Sequence, residues 1–234
     1  MEKTISRPKR LMNKIRVLLL LAAFSIMVAG CAGTPLYTIN IRYEPAKAPP
    51  VAEEAVKKHA LTVANFRDGR AIDDPVKIGH VLKSDGRKIY VLPERVKAAE
   101  AVAAGVRDHF YKAGYSVSGM KPEWDLREET IDGKWGDVLI GGVIHKLEVV
   151  CDDSQPLSPV RTYSAVVNLG IVFADVAGKR IVYKTSAEGS ASLKDVSFLI
   201  DKLENQLNGV LTDVIEKLFA GAEFQAQIKK AAAR

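Results

Sequence analysis

The sequence predicts an α+β fold: a mixed, largely antiparallel sheet with two main helices packed on one face, preceded by an N-terminal signal and a tether. Three observations carry this expectation. From residue 161 to 175 the apolar side chains Tyr163, Ala165, Val167, Leu169, Ile171 and Phe173 occupy every second position, the two-residue period of a strand with one buried face. Ala177-Gly178-Lys179 then turns the chain into Ile181, Tyr183 and Ala187, so the two segments form a hairpin. Elsewhere the apolar positions step by three and four. Val96, Ala99, Ala103, Val106 and Phe110 make one helix face, and Val196, Leu199, Leu203, Leu207, Val210, Val214 and Leu218, widened by Ile200, Leu211 and Ile215, make a longer one.

Taken in order, the chain opens with a basic run (Lys3, Arg7, Lys9, Arg10, Lys14, Arg16) followed by an uncharged, mainly apolar run over residues 17–28. That is the order of a secretory signal. The apolar run is 12 residues long, short of the ~20 needed to span a bilayer, so residues 1–30 read as a removed export signal. Its end, Val28-Ala29-Gly30-Cys31, resembles the lipobox of bacterial lipoproteins. The resemblance implies diacylglycerol transfer to the Cys31 sulfur, cleavage before it and acylation of the freed amine, which makes Cys31 the lipid-attachment site and the membrane the first partner. Two or more acyl chains anchor stably where one is marginal. Ala32 stands where an aspartate commonly means inner-membrane retention, which favours the outer membrane, with the domain facing the periplasm.

Residues 37–43 alternate apolar and polar side chains as a short strand does, and Pro45, Pro49 and Pro50 break the pattern. Residues 31–58 therefore read as a lipidated N-terminus and tether, ahead of a single α+β domain over 59–220. Residues 61–66 form the next strand, ended by a turn at Arg67-Asp68-Gly69-Arg70. The polar stretch 67–87 reads as the longest loop, with a brief strand over 88–92. Pro93 is placed to start the first helix, Gly114 to stop it, and residues 115–118 return as a strand. Between 135 and 151, Val138 and Ile140 lie on one side and Leu139, Val143, Leu147 and Val149 on the other, so the first half of this strand is expected to be central and buried on both faces. Asp195 is the expected N-cap of the closing helix, and residues 221–234 are expected to fray.

Composition narrows the function classes. The formal charge is +6, but residues 1–30 carry six basic side chains and one acid, leaving the mature chain near neutrality. That removes the basic stripe that nucleic-acid binding requires. With Cys31 taken by lipid, Cys151 is the remaining thiol, so no intramolecular disulfide forms. Stability must come from a core, and a chain that is 47% hydrophobic can build one.

Catalytic and metal-binding arrangements fail on spacing. His145 and Cys151 on one strand stand roughly 20 Å apart at ~3.3 Å per residue, too far for a nucleophile and its base, and Asp152 and Asp153 raise the thiol pKa further. His145 and Glu148 fall on opposite faces of a strand. His59, His80 and His109 lack zinc-motif spacing, and Asp68, Asp73 and Asp74 lack the alternating acids of a calcium loop. Gly141-Gly142 marks a bulge or close packing rather than a phosphate cradle, because no helix start follows it. No catalytic, cofactor or metal residue is assigned beyond the covalent diacylglycerol and N-acyl chain at Cys31.

The lipobox, residues 63–66 with Asp68-Gly69-Arg70, Gly79, the helix end His109-Phe110-Tyr111-Lys112-Ala113-Gly114-Tyr115, and Leu203-Glu204-Asn205-Gln206-Leu207-Asn208-Gly209-Val210-Leu211 together resemble the YajG-like lipoproteins of the bacterial outer membrane. Loops 67–92 and 119–134 are longer than that family's pattern. The resemblance implies an envelope location and fold, and no catalytic residues. The expectation is a non-enzymatic, lipid-anchored binding or scaffold module with an envelope protein as partner, captured by the 67–87 loop or an exposed part of the closing helix. The alternative is an auxiliary lipoprotein subunit of an envelope lipid or solute transport system, which calls for an apolar pocket.

Overall fold

The chain runs β1 (Tyr37–Ile39), a single turn α1 (Glu54–Lys57), β2 (Ala60–Val63), β3 (Arg67–Asp68), β4 (Gly79–Lys83), β5 (Lys88–Pro93), α2 (Ala98–Lys112), β6 (Ser116–Val117), β7 (Val138–Asp153), β8 (Arg161–Asp175), β9 (Arg180–Asp195), α3 (Ile200–Ala220) and α4 (Ala222–Ala232). This computed structural model describes residues 35–156 and 158–232. The expected signal 1–30 and the expected lipid-attachment residue Cys31 lie outside the described residues. Among the described residues no helix is long and apolar enough to cross a membrane.

β7 organises the sheet. Along one side it is followed in turn by β2, β3 and β4, all parallel to it, with Leu61 opposite Val138, Arg67 opposite Val143 and Gly79 opposite Val149. Its other side pairs antiparallel with β8, which pairs antiparallel with β9. β5 joins β4 antiparallel, while β1 adds to β5 and β6 to β2 in parallel. The result is the mixed α+β sheet that the sequence predicts.

A bulge decides which side chains of β7 face the helices. The register shifts between Ile144 and Lys146, leaving His145 unpaired. Ahead of it Val138, Ile140 and Ile144 enter the main core; beyond it Leu147, Val149 and Cys151 do. One inserted residue moves the buried set from even to odd positions, so Leu139 and Leu147, assigned to one side by simple alternation, lie on opposite faces. Leu139 instead meets Trp124, Ile131, Ala174 and Val176 in a second cluster under the 118–137 connection, and the first half of β7 is buried on both faces as expected. Gly141 and Gly142 serve close packing: a Cβ on either would stand 2.6 Å from the Trp124 ring or 2.4 Å from the Phe66 ring.

The two main helices share the main core with β7 and β8. α2 buries Ala101, Val102, Val106 and Phe110, and α3 buries Leu203, Leu207, Leu211, Val214, Ile215 and Leu218. Gly114 ends the α2 region at φ 85°, a left-handed geometry that glycine adopts without a Cβ penalty.

Several local expectations are corrected. Arg67-Asp68 is a rung on β7 rather than a turn, and the stretch 67–87 is interrupted by β4, which lies in a mainly polar stretch yet is paired on both sides, by β5 and β7. Pro93 closes β5 opposite Ile39, and α2 starts at Ala98, leaving Val96 47% exposed. Asp195 ends β9 instead of capping α3: its carboxylate accepts the Ser197 N–H at 2.9 Å and pairs with Lys202. Val196, Leu199 and Ile200 consequently fall outside the buried stripe. Within the stretch expected to fray, α4 inserts Phe224 and Ile228, both 0% exposed. Residues 37–44, expected in the tether, belong to the sheet and to the surface of α3.

Candidate functional site

On α3, Glu204, Asn208, Thr212 and Glu216 recur every four residues and so share one face. They hold the chain that leaves β1. The Asn40 N–H donates to Glu204 Oε2 at 2.9 Å, the Arg42 N–H to Asn208 Oδ1 at 2.9 Å and the Glu44 N–H to Thr212 Oγ1 at 3.0 Å. Asn208 Nδ2 donates back to the Asn40 carbonyl at 3.0 Å. An extended segment with no strand partner thus has its backbone satisfied by side chains, as buried peptide groups require. At the fourth rung the Tyr43 hydroxyl lies 3.4 Å from Glu216 Oε1 and 3.0 Å from His109 Nδ1.

From Glu44 the chain continues as a proline-containing strap that returns to the end of α2, where the Ala52 N–H donates to the Ala113 carbonyl at 2.8 Å. The strap, α2, α3 and α4 enclose a cavity of about 700 Å³. That volume falls within the range of small-molecule sites, ~300–1,000 Å³. Ala48, Pro49 and Pro50 line it from the strap, and Phe110 and Phe219 from the helices. Those two rings pack with centroids 4.6 Å apart, and Phe224 closes the group at 5.0 Å from Phe219. Gly209 leaves open space on the α3 side, since a Cβ there would meet nothing within 4 Å.

The polar lining is asymmetric. Glu44, Glu53, Asp213 and Glu216 face one basic side chain, Lys47, which gives the mouth a negative field. Inside, burial pushes the His109 pKa down to about 4, so its imidazole is neutral at physiological pH. Burial, with Glu216 alongside, pushes the Tyr43 hydroxyl up. The arrangement suits an apolar body under the strap with a hydrogen-bonding end near His109 and the acidic mouth.

A second cleft, about 570 Å³ and more polar, lies along the sheet between Arg70, Asp73, Asp74, His80, Tyr90 and His145. Arg70 fixes its rim. The guanidinium forks onto Asp68 at 2.7 and 2.9 Å and also donates to the Pro75, Lys77 and Leu147 carbonyls, and Asp68 is held below the usual carboxylate range by that contact. The segment after β3 is therefore pinned to β7 by one side chain.

The other sequence candidates are dispersed. His145 is exposed at the bulge, whereas Cys151 is 0% exposed in the core; burial pushes its thiol pKa up. His80 has its pKa lowered by burial and Lys88 against the opposing pull of Glu148. His59 sits 3.5 Å from Asp137 at the far end of β2. Among the described residues, no three His, Cys, Asp or Glu side chains are grouped to hold a metal ion. His109, Tyr43 and the α3 polar face were not singled out as a site by sequence reasoning. The four-residue recurrence of Glu204, Asn208, Thr212 and Glu216 beside the apolar stripe is the signal that would have found that face.

No protein-family model matches the sequence, and no curated protein matches it. Among solved structures the chain is similar to a Xanthomonas campestris protein of the family DUF330, at 16% identity over 83% of this chain and 98% of that one, with a TM-score of 0.51. A neuraminyllactose-binding hemagglutinin homolog from Helicobacter pylori aligns at 11% identity over 80% of this chain and 97% of that one, with a TM-score of 0.41. A lipoprotein from Neisseria meningitidis aligns at 13% identity over 69% and 97%, with a TM-score of 0.37. The first of these comparisons shows a shared fold.

Proposed function

We propose that this protein is a non-enzymatic lipoprotein of the bacterial cell envelope, anchored through Cys31 at the periplasmic face of the outer membrane, that acts by binding. The signal ending in Val28-Ala29-Gly30-Cys31 supports the anchor. The observation that carries the binding reading is the cavity of about 700 Å³ under the strap, with its aromatic floor and neutral His109. Confinement to a membrane raises the effective concentration of anything held in the same compartment, so modest affinity suffices. The apolar lining also favours the second reading, an auxiliary lipoprotein subunit of an envelope lipid or solute transport system, in which the cavity carries the cargo.

Gly209→Trp tests the cavity. The new side chain projects into open space on an exposed turn of α3, and glycine is the poorest helix former after proline, so the fold is expected to survive. Native mass spectrometry of the detergent-extracted wild type is expected to show one small apolar molecule retained, and the variant to lose it with an unchanged circular dichroism spectrum. Identical adducts on both proteins, or none on the wild type, would contradict the reading.

A further inference from the structure

Among the described residues, four strands pair on one side only, and they differ greatly in length: β1 has 3 residues, β3 and β6 have 2 each and β9 has 16. Short edges offer few backbone groups to a foreign strand, whereas a long one presents a row of unpaired N–H and C=O groups and is normally blunted. β9 pairs with β8 on its inner side, and among the described residues no strand covers its outer side. Its N-terminal end is blunted. Glu128 accepts the Ile181 N–H at 2.7 Å, and the register with β8 shifts beside it, at Phe173/Ala174. The C-terminal half carries no such cap, and residues 190–194 are all exposed.

We infer that two copies of this chain associate by antiparallel pairing of their β9 strands, in a register centred on Ala191. In that register Ala191 faces its own copy, Ser190 faces Ser192, Gly189 faces Leu193 and Glu188 faces Lys194. The Ala191 pair sits on the two-fold axis and each of the other pairs occurs twice, as a two-fold interface demands. The chemistry is self-complementary on both faces of the sheet. Glu188 and Lys194, opposite Asn168 and Thr162 of β8, stand on the polar face and form two cross-strand pairs of opposite charge. Asn168 already holds one Glu188 oxygen at 2.8 Å, leaving the other for lysine. On the helix-covered face Leu193, 42% exposed in the single chain, stands opposite Gly189, against which Val210 and Val214 of α3 pack, so the leucine extends the apolar edge of that helix–sheet contact. A register centred on Ser186 would also oppose unlike charges, Lys184 and Glu188, but it drives the partner strand onto Ile181, where Glu128 occupies the edge. The cap therefore selects the register as well as blunting the strand.

The test uses the full-length lipidated protein in its membrane and in detergent. With Cys151 buried, Ala191→Cys places a thiol directly opposite its symmetry mate and is expected to give a covalent dimer under mild oxidation, whereas Ala187→Cys, on the same face but out of register with itself, is not. Light scattering on the unmodified protein in detergent is expected to report a dimer. Glu188→Lys sets like charges opposite each other twice and is expected to weaken association by roughly tenfold or more, and Glu188→Lys combined with Lys194→Glu is expected to restore it. A wild type that stays monomeric, equal oxidation at positions 187 and 191, or a charge reversal that the second substitution does not rescue would overturn the proposal.

Discussion

Neutral at physiological pH because burial holds its pKa at about 4, His109 is bound to the Tyr43 hydroxyl on one nitrogen and lines the cavity with the rest of its ring. The unfolded chain titrates this group near its ordinary value of 6.5. Since the folded pKa is the lower one, the unfolded state binds the extra proton between pH 6.5 and about 4, and stability falls as pH drops through that window. The expected contribution of His109 is a loss of about 2 kcal/mol between pH 7 and pH 5. Urea midpoints of the wild type and of His109→Gln at the two pH values check this. The variant should show a clearly smaller drop; parallel curves would mean that the imidazole is not held neutral. His80 is shifted the same way and remains in both proteins, so the comparison isolates His109. Nothing in the spacing of the four histidines marks this one, because its environment is made by Tyr43, more than 60 residues away.

At the scale of elements, the four-residue polar recurrence on α3 separates a wrapped segment from a loose tether. Asn208 is 1% exposed and serves both the Arg42 N–H and the Asn40 carbonyl. Asn208→Ala strands two peptide groups, each costing about 1–3 kcal/mol when left unpaired and buried. A denaturation midpoint lowered accordingly, with faster amide exchange over residues 40–44, is the expected outcome; unchanged exchange there would show that the segment is held by other contacts. Elements with a strong period were legible in the sequence: β8, the start of the β9 hairpin, and the buried stripes of α2 and α3. Two kinds of feature were not. Short strands such as β3 and β4 owe their existence to partners on β7, not to their own apolar content, and the His145 bulge reverses an alternation that otherwise reads correctly. α4 was hidden because its two buried residues, Phe224 and Ile228, are too few to set a period against the surrounding alanines and lysines.

For the whole molecule, the cavity was legible only as a requirement of the transport reading, while its location depends on the strap, α2, α3 and α4 meeting in three dimensions. The loop expected to capture a partner is interrupted by β4, so removing residues 70–85 would take out a strand bonded on both sides and would report on folding rather than on binding. In the proposed account the N-terminal motif ties the domain to its place of action. Binding at the membrane surface rests on that connection. Intact-mass measurement of the protein extracted from membranes tests it most directly: the account requires a chain that begins at Cys31 and carries diacylglycerol and an N-acyl chain, and a Cys31→Ser variant that is unprocessed or released in soluble form. A wild-type mass that retains Met1, or that begins at an unmodified Cys31, would contradict it.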